Sequence, residues 1–129
     1  MKTKSFFVNF ATNDIIKTRQ FYTNLGLELV KDFSDETNNC FKVTDSLYLM
    51  TMNHERFREF TNKTLIDSHQ SKEVLLSIEV ESIKEVDNIS TKAIKLGGSA
   101  SEPIDPGYMY YRVITDLDGH HIEIFAWKH

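Results

Sequence analysis

Asn13-Asp14-Ile15-Ile16-Lys17-Thr18-Arg19-Gln20-Phe21-Tyr22-Thr23-Asn24-Leu25-Gly26-Leu27 carries the organising pattern of the chain. Asn13 or Asp14 can cap a helix, because a short side-chain oxygen satisfies a free N–H of the first turn. Ile15, Thr18, Phe21, Tyr22 and Leu25 recur at helical spacing. Gly26 stops the helix, since glycine takes positive φ without penalty. Upstream, Ser5 to Phe10 is aromatic and β-branched enough for a strand. Downstream, strands are expected at Leu27–Phe33, Cys40–Thr44 and Leu47–Met52, with an Asp45-Ser46 turn between the last two.

The same order returns in the second half. Val74–Val80 reads as a strand, and Ser82 caps a helix with Glu85 as its capping-box partner. Ile83, Val86, Ile89, Ala93, Ile94 and Leu96 form the apolar helical face, and Gly97-Gly98 ends it. Strands are expected at Ala100–Ile104, Tyr110–Thr115 and His121–Ala126, with a turn at Asp116-Leu117-Asp118-Gly119. Gly26 and Gly97 lie 71 residues apart, so the pattern is a two-fold internal repeat held by order and not by matched side chains. The expected fold is α+β: one domain over residues 1–129, built from two β-α-β-β-β modules, about 5–52 and 73–127. Residues 53–72 link them. His54 to Phe60 reads as a helix that connects and buries Phe57 and Phe60, or as a flap or an arm to a second subunit.

Composition narrows the function classes. At 129 residues there is room for one substantial core. The net charge of −4 and the lack of a Lys/Arg cluster argue against nucleic acid and an anionic membrane surface. The apolar run Phe6–Val8 is too short for a signal-peptide core, and no run is long enough to cross a bilayer. Cys40 is the only cysteine, which excludes an internal disulfide and a multi-cysteine zinc site and makes a cytoplasmic location the default. On a strand without a basic neighbour, it reads as an inert buried thiol. No Ser/His/Asp spacing or glycine-rich phosphate loop is present.

Three stretches together carry a resemblance: Asn13–Leu27, the helix from Val80-Glu81-Ser82 to Leu96-Gly97-Gly98, and Asp116-Leu117-Asp118-Gly119-His120-His121-Ile122-Glu123-Ile124-Phe125. The chain resembles the glyoxalase / bleomycin-resistance / extradiol dioxygenase family, the vicinal oxygen chelate superfamily, over nearly its whole length. The resemblance implies paired modules forming an open curved sheet, an incomplete barrel, around one small-molecule pocket on the concave side. It also implies a homodimer. In the family's enzymes, side chains of the first and fourth strands of each module hold a divalent metal that acts as a Lewis acid. Carried over, those positions fall on Phe7, on Leu49 or Met50, on Leu75 give or take one residue, and on Glu123. Only Glu123 among them binds metal, and one carboxylate does not hold a catalytic cation.

Alternation places His121, Glu123, Phe125 and Trp127 on one face of the last strand, expected to be concave, and Ile122, Ile124 and Ala126 on the other. Glu123 is the candidate general base or ligand anchor; alternatively it forms a structural pair with Arg112. Tyr110 and Arg112 are expected on the pocket wall, suited to a flat or anionic ligand, although ordinary strand aromatics explain the tyrosines as well. Phe7, Asn9, Leu49, Thr51, Leu75, Ser77 and Phe125 complete the expected lining. His121 and Glu123 are weak metal candidates, more often a solvated rim or a hydrogen-bonded pair. His120 points the other way, and His54, His69 and His129 are expected to face solvent. Three functions stay open. The first is metal-independent binding of a small organic molecule without a cofactor. The second is a divalent-metal lyase or dioxygenase with its ligands displaced by a register slip. The third is a structural or regulatory dimer with a vestigial pocket.

Overall fold

The computed structural model describes residues 1–128, so His129 lies outside the described residues. The chain resolves into two compact units that divide between Leu65 and Ile66, inside the expected linker. In the first, β1 (Phe6–Thr12) leads to α1 (Ile15–Leu25), β2 (Glu28–Leu29), β3 (Asn38–Lys42) and β4 (Leu47–Asn53), followed by the short α2 (His54–Phe57). In the second, β5 (Leu76–Glu79) leads to α3 (Ile83–Lys95), β6 (Ser99–Ala100), β7 (Met109–Thr115) and β8 (His121–Trp127). Each unit has one open four-stranded sheet, ordered β1-β4-β3-β2 and β5-β8-β7-β6. The first and last strands of each module are parallel and the remaining pairs antiparallel. The repeat expected from the two glycine-terminated helices is therefore present as topology.

The helix ends follow their caps. Asp14 accepts from the Lys17 N–H at 3.0 Å, and Gly26 ends α1 at φ 126°, its N–H reaching the carbonyls of Tyr22 and Thr23. Ser82 accepts from the Glu85 N–H at 3.1 Å, while the Glu85 carboxylate takes the N–H of Glu81, one residue before the cap. The buried face of α3 is Val86, Ser90 and Ala93. Ile83 and Ile94, expected on it, are exposed. Ser90 is accommodated because its hydroxyl donates to the Val86 carbonyl at 2.8 Å.

The core of the first unit lies between α1 and one face of its sheet. Phe21, Tyr22, Phe41 and Leu49 are buried there, with Tyr22 tilted against Phe41 at 5.1 Å. A polar network is sealed into the same layer. The Asn39 amide donates to the Ile15 carbonyl and to the Thr51 hydroxyl, each at 3.0 Å, and Thr12 bonds Thr18 at 2.7 Å. Such groups are tolerated inside because their hydrogen bonds are made. In the second unit, Ile114, Ile122, Ile124 and Ala126 pack on the side of α3.

Three connections depart from expectation. The strand expected over Leu27–Phe33 shortens to Glu28–Leu29 and passes into a 3₁₀ turn at Lys31–Phe33. Ser34 replaces the missing ladder, donating to the Val30 carbonyl and accepting from the Cys40 N–H. The strand expected to Ile104 stops at Ala100, where the Val113 N–H goes to the Ser101 hydroxyl and the Ser101 carbonyl takes Arg112 Nε; an isolated bridge joins Ile104 to Tyr111. The helix expected through Phe60 ends at Phe57, and Phe60 is 66% exposed under the Arg56 guanidinium instead of buried.

Candidate functional site

Cross-strand register decides which side chains share a face. In unit two, Thr115 pairs with His121, so Val113 lies opposite Glu123 and Tyr111 opposite Phe125. On the other side of β8, Ser77 pairs with Glu123 and Glu79 with Phe125. Directly paired residues point to one face of a sheet. Ser77, Glu79, Tyr111, Val113, Glu123 and Phe125 therefore share the face turned away from α3. Phe125 and Trp127 meet edge to face at 5.3 Å, and Tyr108 stacks beside Trp127 at 6.4 Å.

Tyr110 and Arg112 do not join this group. They pair with Ala126 and Ile124, the buried row under α3. The Tyr110 hydroxyl donates to Asp87 on α3 at 2.7 Å, which raises its pKa, chiefly through that bond to the carboxylate. Arg112 reaches the same carboxylate at 3.3 Å and donates from Nε to the Ser101 carbonyl at 2.9 Å. The expected Arg112–Glu123 pair is thus replaced by Arg112–Asp87. Alternation along β7 is as the sequence predicts, but its two faces are the reverse of those expected.

The first unit shows a matching division. Phe7 and Asn9 pair with Tyr48 and Met50 and lie on the helix-free face, where Phe7 stacks on Tyr48 at 4.7 Å. Leu49 and Thr51 lie on the opposite face, 1% and 0% exposed against α1, and are core residues instead of pocket wall. Leu75 sits just before β5 and is 69% exposed. Cys40 is buried and its thiol is pushed above its ordinary pKa by burial.

The β7–β8 turn adds a cluster that the spacing did not single out. Asp116, Asp118 and His120 are buried and each offers a possible ligand atom within 4.8 Å of the others. Asp116 Oδ1 accepts from the N–H groups of Asp118 and His120, each at 2.9 Å, and its Oδ2 lies 2.8 Å from His120 Nδ1. Asp-x-Asp-Gly is the turn its sequence predicts, and alternation along β8 alone does not bring His120 to the aspartates. The signal that would have found the cluster is the Asp–His spacing across that turn. His121 lies on the face of Glu123; burial first and the Lys72 charge second depress its pKa, while Asp116 opposes the change. His69 is exposed as expected, whereas His54 is half-buried at the start of α2.

Two open sheets, each with a parallel pair at one edge and backed by one helix, define a duplicated βαβββ protein. The sequence matches the Glyoxalase/Bleomycin resistance protein/Dioxygenase superfamily over residues 6–124, and the chain belongs to that family. No curated protein matches it significantly. Among solved structures, a hypothetical protein from S. aureus superposes with a TM-score of 0.84 at 24% identity, covering 98% of this chain and 95% of that one. A glyoxalase/bleomycin resistance protein/dioxygenase family enzyme from Burkholderia phytofirmans gives 0.78 at 21% identity, covering 98% and 100%. The fosfomycin resistance protein FosX from Listeria monocytogenes gives 0.69 at 21%, covering 100% and 94%. At these identities the likeness establishes the fold. Among the described residues, no helix is long and apolar enough to cross a membrane.

Proposed function

We propose that this chain binds a small organic molecule against the helix-free face of its second sheet, without a divalent metal, as a cytoplasmic homodimer that sequesters its ligand. The observation that carries the reading is the row Ser77–Glu123–Val113 beside the row Glu79–Phe125–Tyr111: polar anchors next to apolar and aromatic walls. The metal-free part rests on donor chemistry. On the helix-free faces the paired first-strand and last-strand residues nearest the positions carried over from the family are Phe7 with Tyr48, Asn9 with Met50, and Ser77 with Glu123, and that set contains one carboxylate. Neither the thioether of Met50 nor the hydroxyl of neighbouring Ser77 repairs it for a hard divalent cation.

The Asp116–Asp118–His120 cluster supports a second reading, a metal-dependent lyase or dioxygenase whose ligands are not the usual strand positions. It ranks below the first because both Asp116 oxygens already hold the turn together. Elemental analysis of the purified protein and titration with Ni²⁺, Zn²⁺ and Fe²⁺ separate the two. A thermal-shift screen with aromatic antibiotics and glutathione conjugates, with and without chelator, completes the test. Ligands that raise Tm equally in chelator are expected, since binding only the native state stabilises it. A shift that needs stoichiometric metal, and that Asp118→Asn removes, installs the second reading instead. Sedimentation equilibrium should give twice the 15.0 kDa chain mass; the single-chain mass at micromolar concentration overturns the dimer.

A further inference from the structure

The helix-free face of the second sheet has a charge pattern that selects its ligand. Its two acidic side chains, Glu79 on β5 and Glu123 on β8, are diagonal neighbours: Glu79 pairs with Phe125, two residues along β8 from Glu123. Strands about 4.8 Å apart with a rise of about 3.3 Å per residue put such positions roughly 8 Å apart along the backbone, near enough for the two carboxylates to repel and for a bulky organic cation to lie between them. Among the described residues neither forms a hydrogen bond or an ion pair. No Lys or Arg occupies the strand positions of this face. The nearby cations are committed elsewhere: Arg112 binds Asp87 behind the sheet, Lys128 binds Asp105, and Lys72 donates to the carbonyls of Ser68 and Gly119.

Beside the carboxylates stand aromatic rings. Tyr111 is directly opposite Phe125, Phe125 meets Trp127 edge to face at 5.3 Å, and Trp127 is 46% exposed. Aromatic faces attract cations through their quadrupole, and more strongly for a weakly hydrated quaternary or alkylated ammonium. Resting on the reading above, we infer that the ligand is an organic cation, an amine or quaternary ammonium on an aromatic or apolar body. Its charge sits between Glu79 and Glu123 and its body lies on Tyr111, Phe125 and Trp127. An anionic ligand, which Arg112 on this face would have favoured, meets two like charges, and the Lys72 ammonium, whose charge reaches His121, is tied to the Ser68 and Gly119 carbonyls.

Trp127 is the only tryptophan, so its fluorescence reports on this face alone. Three matched probes are titrated into the full chain: benzyltrimethylammonium, its uncharged isostere neopentylbenzene, and benzylsulfonate. The cation is expected to bind at least about tenfold tighter than the isostere, with the sulfonate weakest, and Glu79→Gln with Glu123→Gln should cut that preference about fivefold or more, leaving the part the rings supply. Both substitutions are isosteric, and circular dichroism confirms that the fold persists. If the isostere or the sulfonate binds as well as the cation, or if both substitutions leave the preference unchanged, the inference falls while the ligand face stands. If none of the three perturbs Trp127, both fall.

Discussion

His121 occupies the same face as Glu123, and its surroundings disfavour the imidazolium. Burial is the larger cause and the Lys72 charge the second, so the folded pKa lies below the ordinary 6.5. A group with a depressed folded pKa contributes stability that is complete above the unfolded pKa and is lost as pH falls through the folded one. Urea midpoints measured from pH 8 down to pH 5 should therefore decline below about pH 6.5. His121→Gln should remove part of that decline. The informative quantity is the difference between the two proteins, because the carboxylates titrate equally in both. Parallel pH profiles for the two proteins would show that His121 is as well solvated folded as unfolded.

The β7–β8 hairpin fixes which side chains reach the face, and its turn is the place to disturb it. Gly119 has φ +90°, and a Cβ there would come within 2.7–2.8 Å of His69, backbone nitrogen included. Gly107 has φ +108° with open space around it. Gly107→Ala should cost only the backbone term, on the order of 1 kcal/mol, and Gly119→Ala should cost more, about 2–3 kcal/mol or above. Equal losses in urea unfolding would mean that the 66–72 segment yields freely. The same hairpin shows how much the sequence made legible. Caps and stops at Asp14, Gly26, Ser82 and Gly97 located both helices, because each is a local interaction. Alternation along β8 was also readable, since Ile122, Ile124 and Ala126 are buried and the residues between them less so. What alternation along one strand cannot supply is the partner strand's phase. The five-residue connection from Asp116 to His120 pairs Thr115 with His121 and thereby turns Tyr110 and Arg112 toward α3. For β4 even alternation fails, because Leu47-Tyr48-Leu49-Met50-Thr51-Met52 is nearly continuous in apolar character and only α1 overhead distinguishes Leu49 from Met50.

Electrostatics over the chain as a whole sets how the proposed ligand should respond to salt. The net charge is −4 and the pI near 5.7, so the acidic pair on the ligand face acts with the field of the protein and not against it. That acidic balance was readable from composition; the gathering of two carboxylates and three aromatics on one side of one sheet was not, because it depends on register. A cation held by partly exposed carboxylates loses attraction as salt screens it: the Debye length falls from about 10 Å at 0.1 M to about 3 Å at 1 M. Apolar and aromatic contact is not screened and is not weakened by sodium chloride. Raising NaCl from about 0.05 M to about 1 M should then weaken benzyltrimethylammonium binding several-fold, roughly three- to tenfold, and leave neopentylbenzene binding unchanged or slightly tighter. Cation–π attraction to Trp127 and Phe125 at close contact is less screened than the longer-range carboxylate field. The residual preference for the cation at high salt should therefore survive Glu79→Gln better than Trp127→Leu, the latter followed by calorimetry because the fluorophore is gone. Equal weakening of both probes by salt would place the source of affinity outside the carboxylates, and a salt-independent cation preference would assign it to the rings alone.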